Sequence, residues 1–295
     1  MASTSLRRTL SSNGNQNTAT WSFWVKRGNI TDGRIYTSWY DGNNQFWIMF
    51  QSGKLGVKLY QNSYVLQVET NRLFRDTSAF YHILVAIDTT QGTASDRVKI
   101  YVNGSQETSL SSSSYPNQNA SMPFGLATYN QRIGERDGQD YFDGLMSHFH
   151  FIDGTAYAPS DFGETDSTSG IWKPKTAPSV TYGTNGYFLK FENSGAMGTD
   201  SSGNSNTWSV GGGTLTQNVD TPSNNFPTLN ALTYHFANHF TANTNGNTTA
   251  NAGSGSAWKT ILSTLGVDTG KWYFEAKVQT LGTYAMIGIC DMSVA

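Results

Sequence analysis

The chain has 295 residues, length for about two domains of roughly 150 residues each. Only 14% of them are charged, against about 25% in an ordinary globular domain, and the formal net charge is −2. That balance excludes the basic footprint of a dedicated nucleic-acid binder and a polybasic membrane anchor, while the single cysteine, Cys290, excludes an intrachain disulfide framework or a cysteine-built zinc site.

The opening, Met1 to Ser12, carries Arg7 and Arg8 but no apolar run, so a signal peptide is not expected. Period-2 alternation then dominates. Trp21, Phe23 and Val25 share one face, opposite Ser22 and Lys26. Phe46, Ile48 and Phe50 alternate with Trp47 and Met49, and a Ser-Gly turn leads into Leu55, Val57 and Leu59. Tyr81, Ile83, Val85 and Ile87 form a further row, as do Val98, Ile100 and Val102, which end at Asn103-Gly104. Such a pair supplies the positive φ of a tight hairpin at little steric cost. Phe149 with Phe151, then Tyr187, Leu189 and Phe191, continue the series. The only helix candidate is Leu232 to Phe240. The pattern predicts an all-β chain: an antiparallel β-sandwich over about residues 1–180, with one apolar and one mixed face to each strand, followed by a smaller, loop-rich β segment. Phe23, Val25, Ile83, Val85, Ile100, Val102 and Phe149 are expected inside.

Residues 181–240 are rich in Gly and Asn, with turn blocks at 195–206 and 211–213. Residues 241–295 open on a Thr/Asn/Gly-rich stretch. Trp272, Phe274, Ala276 and Val278 then alternate as a new strand, followed by the apolar run Ala285, Met286, Ile287 and Ile289. Leaving Trp272 and Phe274 wet would forfeit on the order of 7–12 kcal/mol. They are therefore expected to pack on the extension or on a neighbouring subunit, or else the natural chain continues beyond Ala295.

Four segments in order, ATWSFWVKRGN (19–29), YHILVAIDTT (81–90), DRVKIYVNGSQ (96–106) and QRIGERDGQDYFDGLMSHFHFIDG (131–154), resemble the laminin-G-like, concanavalin A-type jelly roll. The continuation resembles structural proteins of tailed, particularly marine, bacteriophages. It comprises FIDGTAYAPSDFGETD (151–166), GIWKPK (170–175), YGTNGYFLKFENS (182–194), GTDSSGNSNTW (198–208) and DTPSNNFPTLN (220–230). Residues 258–278 are similar to the opening of a SPRY-like module. The resemblance implies a virion protein, a tail or capsid fibre, spike or decoration subunit made in the bacterial cytoplasm. It would be a homo-oligomer that contacts other virion proteins and host surface glycans, with no nucleic acid and no membrane insertion.

Candidate chemistry is sparse. The same fold carries glucanases, so a glycan depolymerase is the alternative. Its nearest carboxylate motif is Glu135-Arg136-Asp137-Gly138-Gln139-Asp140, which reads as an exposed hairpin loop, and no catalytic residue is assigned. His148 and His150 lie i, i+2 on a strand whose outer face reads as polar, with Phe149 and Phe151 inward. His235 and His239 have helical i, i+4 spacing, but Phe236 stands where a metalloprotease has Glu. Neither pair is assigned a metal. Asp200-Ser201-Ser202-Gly203-Asn204 offers oxygens for calcium but lacks the Gly and Glu of an EF-hand loop; an Asx turn is preferred, and no cofactor is expected. Glycan binding is expected at Trp39, Tyr40, Asn43 and Asn44, where rings for stacking and amides for hydroxyls meet in Trp39-Tyr40-Asp41-Gly42-Asn43-Asn44.

Overall fold

Alternating apolar residues carry the chain into strands almost from its start. The computed structural model describes residues 3–232, 242–251, 259–280 and 286–290. The first ten strands are β1 (Ser5–Thr9), β2 (Thr18–Arg27), β3 (Gly33–Asp41), β4 (Asn44–Gln51), β5 (Lys54–Gln61), β6 (Tyr64–Thr70), β7 (Tyr81–Asp88), β8 (Val98–Val102), β9 (Ser105–Gln106) and β10 (Leu110–Ser114). There follow β11 (Asn130–Ile133), β12 (Gly144–Asp153), β13 (Gly163–Thr165), β14 (Trp172–Pro174), β15 (Tyr187–Leu189), β16 (Ser209–Gly212), β17 (Ala242–Thr244) and β18 (Thr249–Asn251). Two antiparallel sheets face each other, one ordered β10-β6-β5-β4-β3-β11-β1-β16 and the other β15-β12-β2-β7-β8-β9.

The core lies between them. Trp21 on β2 packs its ring against Tyr36, Phe46, Phe124 and Phe151, with centroids 4.9–5.3 Å apart. All seven side chains expected inside, from Phe23 to Phe149, are buried. The Asn103-Gly104 turn joins β8 to β9 with φ of +48° and +82°, the left-handed pair that a two-residue hairpin requires.

The extension completes both sheets. β15 pairs with β12, matching Leu189 to Phe149 and Tyr187 to Phe151, and β16 pairs with β1, matching Ser209 to Arg7. At the end of that pair Gly213, at φ +61°, lies so close to the Ser3 carbonyl that a Cβ there would come within 2.7 Å of its oxygen. Trp208, just before β16, is buried against Tyr187 at 4.9 Å between ring centroids.

The mixed outer face of the six-stranded sheet does not lie open: the segment after β12 folds over it. Leu84, Ala86 and Ile152 form a second apolar cluster with Phe162, joined by Tyr157, Val180 and Tyr182. His82 stacks between Trp24 and Trp172, at 4.9 and 5.9 Å between centroids. Trp172 Nε1 donates to His82 Nδ1 (2.9 Å), which leaves Nε2 to donate to Ser22 Oγ at 2.8 Å. Further along, the buried Lys26 Nζ donates to Asp220 Oδ2 at 2.7 Å, to Asn225 Oδ1 and to the Phe226 carbonyl, which ties the 220–226 segment to the same face.

The last part differs most from expectation. β17 and β18 form a hairpin tied to the sandwich by Asn247 Nδ2, which donates to the Gly28 carbonyl, and Leu229 bridges to Ser263. Among the described residues, the expected strand at Trp272–Val278 has no sheet partner. Trp272 is 70% and Phe274 58% exposed, so they do not pack on the extension. The aromatic area is there to be buried, but these residues meet no complementary apolar face among the described residues. Met286, Ile287 and Ile289 are likewise exposed. Ala285, and the helix candidate beyond Leu232 with His235 and His239, lie outside the described residues.

Candidate functional site

The strand alternation that sends Phe46, Ile48 and Phe50 into the core sends Gln45, Trp47, Met49 and Gln51 to the opposite face of β4. There, with side chains from β3, β5 and β6, they line a groove of about 320 Å³. Arg34 is its centre. The guanidinium lies 4.4 Å over the Trp47 ring, Nη1 donates to Gln45 Oε1 at 2.9 Å, and Nε faces Asp140 Oδ2 at 3.3 Å. Burial pulls Arg34 down to about 10, so it stays charged at neutral pH. Tyr64 is half exposed at the groove's side. Its ring centroid is 6.3 Å from that of Trp47 and 5.2 Å from that of Tyr60. Arg136 closes the other side, with Nε 3.3 Å from the same Asp140 oxygen. Rings, an arginine fork and a carboxylate thus converge on one concavity, the mixture that sugar hydroxyls and C–H faces can use.

The predicted hairpin borders this groove through Gly42 but does not gather its own residues into one surface. Trp39 and Tyr40 sit where the β3–β4 pairing is irregular, and their rings take different neighbours. The Arg136 guanidinium lies 5.8 Å over Trp39, whereas Tyr40, exposed, rests against Tyr129 at 5.5 Å. The Asn43 backbone N–H and the Asn44 side-chain amide both donate to Asp41 Oδ1, at 2.8 and 3.0 Å, which shapes the turn. Sequence reasoning singled out the neighbouring turn and missed Arg34, Tyr60 and Tyr64. The outward Trp47, alternating with three core residues, was the available signal.

The carboxylate motif is placed differently from expectation. Glu135 is fully buried rather than exposed. Oε1 accepts from Arg7 Nε and from Arg132 Nη1 (3.1 Å), and Oε2 accepts from the Gly138 backbone N–H at 2.6 Å. Burial pushes this carboxyl up, but the Arg7 hydrogen bond, the Gly138 N–H and the two positive charges outweigh it and hold it below the ordinary value. A carboxylate so engaged is a poor proton donor. Asp140, from the same hairpin, turns to the groove instead.

The histidines lie under the cover. A bulge between Ser147 and His150, with His148 at φ +47°, keeps Phe149 and Phe151 inward. Both imidazoles flank Phe188, His150 stacking on it at 3.9 Å while its Nδ1 meets the Tyr182 hydroxyl at 2.9 Å. The expected polar outer face is therefore an aromatic layer, because β15 and the 157–182 segment pack there. Asp200 Oδ1 accepts from the N–H groups of Phe188 and Ser202, and Oδ2 from Ser202 Oγ and the Asn206 N–H. Its loop is held as an Asx turn.

The profile of the Concanavalin A-like lectin/glucanases superfamily matches residues 3–159. No curated protein matches the chain. Among solved structures, the native heptameric SAP-like pentraxin from Limulus polyphemus is 18% identical, with a TM-score of 0.37 over 52% of this chain and 71% of its own. Domain 4 of an extracellular GH43 arabinanase from Geobacillus stearothermophilus, in complex with arabinotriose, is 20% identical, with a TM-score of 0.38 over 51% of this chain and 66% of its own. Domains LG4-5 of the mouse laminin α1 chain are 11% identical, with a TM-score of 0.37 over 52% and 40%. The likeness spans about half of this chain in each case and is one of fold alone.

Proposed function

This chain belongs to the Concanavalin A-like lectin/glucanases superfamily, and we propose that it serves as a glycan-binding, non-catalytic structural protein of a bacteriophage virion. A fold of this kind hosts many activities, so the reading rests on the site. The observation that carries it is the groove, where the half-exposed Tyr64 and Tyr60 stand beside the Arg34–Asp140 pair. A sugar ring laid on Tyr64 would present hydroxyls to Arg34 and Arg136 as donors and to Asp140 as acceptor, with Trp39 and the Asp41–Asn44 turn at the rim. The virion role is supported by the motif run from 151 to 230, which resembles phage structural proteins. The exposed Trp272 and Phe274 suit an interface with another subunit of a homo-oligomer or with a second virion protein.

The test is binding to host surface polysaccharide by the parent chain, Tyr64→Ala and Asp140→Asn. Loss in both variants with unchanged melting is expected; binding that survives both sinks the groove. Reducing-end release by the purified parent chain would favour the depolymerase instead. Mass spectrometry of purified virions tests the particle assignment, which fails if the chain is missing.

A further inference from the structure

A second cavity, of about 660 Å³, lies where the extension folds back on β1, and we propose that it binds the carboxylate of an acidic saccharide. Its lining and that of the groove share no residue. The inference rests on the glycan-binding reading for the kind of ligand and not for the place.

Three arginines, Arg7, Arg8 and Arg132, reach this cavity, and the rest of its lining is Ser, Thr and Asn. With no aromatic ring in that lining, a neutral sugar has nothing to stack on. Recognition must come from charge and hydrogen bonds. The charges present do not cancel. Glu135 serves both Arg7 and Arg132, and Asp137 accepts from Arg132 Nη2 at 2.9 Å. Arg8 makes no ion pair among the described residues. Its Nη1 donates to the Asn185 carbonyl at 3.0 Å and its Nη2 to Asn206 Oδ1, both neutral oxygens. Asp153 and Asp200 act on Arg8 only from a distance, with their own oxygens taken by backbone N–H groups.

Donors are available as well as charge. Glu135 occupies only the Nε of Arg7, whose side chain is 41% exposed. Gly211 sets the position of Arg7, since a Cβ there would overlap the arginine's stem. The volume falls within the range of about 300–1,000 Å³ typical of organic-ligand sites, far beyond one inorganic anion. The Thr9, Thr207 and Ser209 hydroxyls with the Asn130 amide suit a polyol around a carboxylate.

The experiment titrates the full chain with trigalacturonate, with the carboxyl-reduced neutral trimer, and with sulfate. It uses the parent, Ser209→Glu, Ser209→Asn and Tyr64→Ala. Ser209 is an exposed strand residue, so neither change at that position should disturb folding, and melting curves check this. Expected are binding of trigalacturonate by the parent, at least about tenfold weaker binding of the neutral trimer, and a similar loss in Ser209→Glu. Ser209→Asn and Tyr64→Ala should bind as the parent does. Failure of the parent to bind, equal affinity for the neutral trimer, or an unaffected Ser209→Glu would overturn the proposal. So would loss in Tyr64→Ala, which places the acid in the groove, or sulfate binding as tightly as the trimer, which leaves a bare anion site.

Discussion

Arg7 and Arg132 stand directly opposite each other across the β1–β11 pair, and the buried Glu135 carboxylate accepts a hydrogen bond from each. Like charges at such a position repel. Here one carboxylate, carried on the hairpin that follows β11, turns the repulsion into a bridge between a strand near the start of the chain and one at mid-chain.

Glu135→Gln should therefore destabilise the fold, by about 3 kcal/mol, because two arginines lose the charge that reconciles them. The pH dependence has a definite sign. The folded-state carboxyl lies below its ordinary value of 4.5, so its contribution is present above that pH and lost as pH falls through the folded value. Denaturant midpoints from pH 7 to pH 3 should fall more steeply for the parent than for the variant. Parallel curves would contradict this.

His82 gives a second acid-sensitive element. Burial between Trp24 and Trp172 pulls it from 6.5 down to about 3, so the folded state holds it neutral. The unfolded chain binds a proton that the folded chain refuses. The stabilisation is thus complete above 6.5 and drains away as pH falls toward 3. Trp172 fluorescence, read in a variant whose other tryptophans are replaced by Phe where tolerated, should report loosening of the cover below pH 6.5 and before global unfolding. A signal flat down to the global transition would count against it.

Lys26 and Asp220 form an ion pair with side chains only 3% and 0% exposed. Removing one partner strands the other, so Lys26→Met should cost about 3–5 kcal/mol. Lys26→Met combined with Asp220→Leu should recover most of that loss. A double variant as unstable as the single one would show that the neighbouring bonds to Asn225 and Phe226, not the charges, hold the segment.

A chain ending at residue 180 should not behave as a folded monomer. It lacks β15, β16 and Trp208, which leaves β12 and β1 as open edges and uncovers Phe149 and Phe151. Aggregation in size-exclusion chromatography, or a flat near-UV spectrum, is expected. A sharp monomer peak with cooperative melting would refute the dependence.

The sandwich was legible because its signals are local. Alternation marks Phe23, Ile83 and Ile100 as inward within a few residues, and Asn103-Gly104 names its own turn. The cover was not legible in the same way. Lys26 meets Asp220, and Trp172 meets His82, across long sequence separations, and nothing near Trp172 distinguishes it from a loop tryptophan. The groove falls in between. Trp47 announces a second aromatic face of β4, but that Arg34 and Asp140 converge beside it depends on how the 134–141 hairpin folds back. Glu135 misled for the same reason: its polar neighbours predict exposure, while Arg7, far away in the sequence, joins the nearby Arg132 in drawing it inside.

The pairing of β1 with β16 also fixes how force would run through the molecule. Ser3 and Gly213 lie side by side at one end of that antiparallel pair, and the chain beyond Gly213 stays on the sandwich through the Lys26–Asp220 and Asn247–Gly28 contacts. Tension applied between those two points would peel the pair apart one hydrogen bond at a time, whereas tension applied farther along the extension would first meet the buried Lys26–Asp220 pair and the Asn247–Gly28 contact.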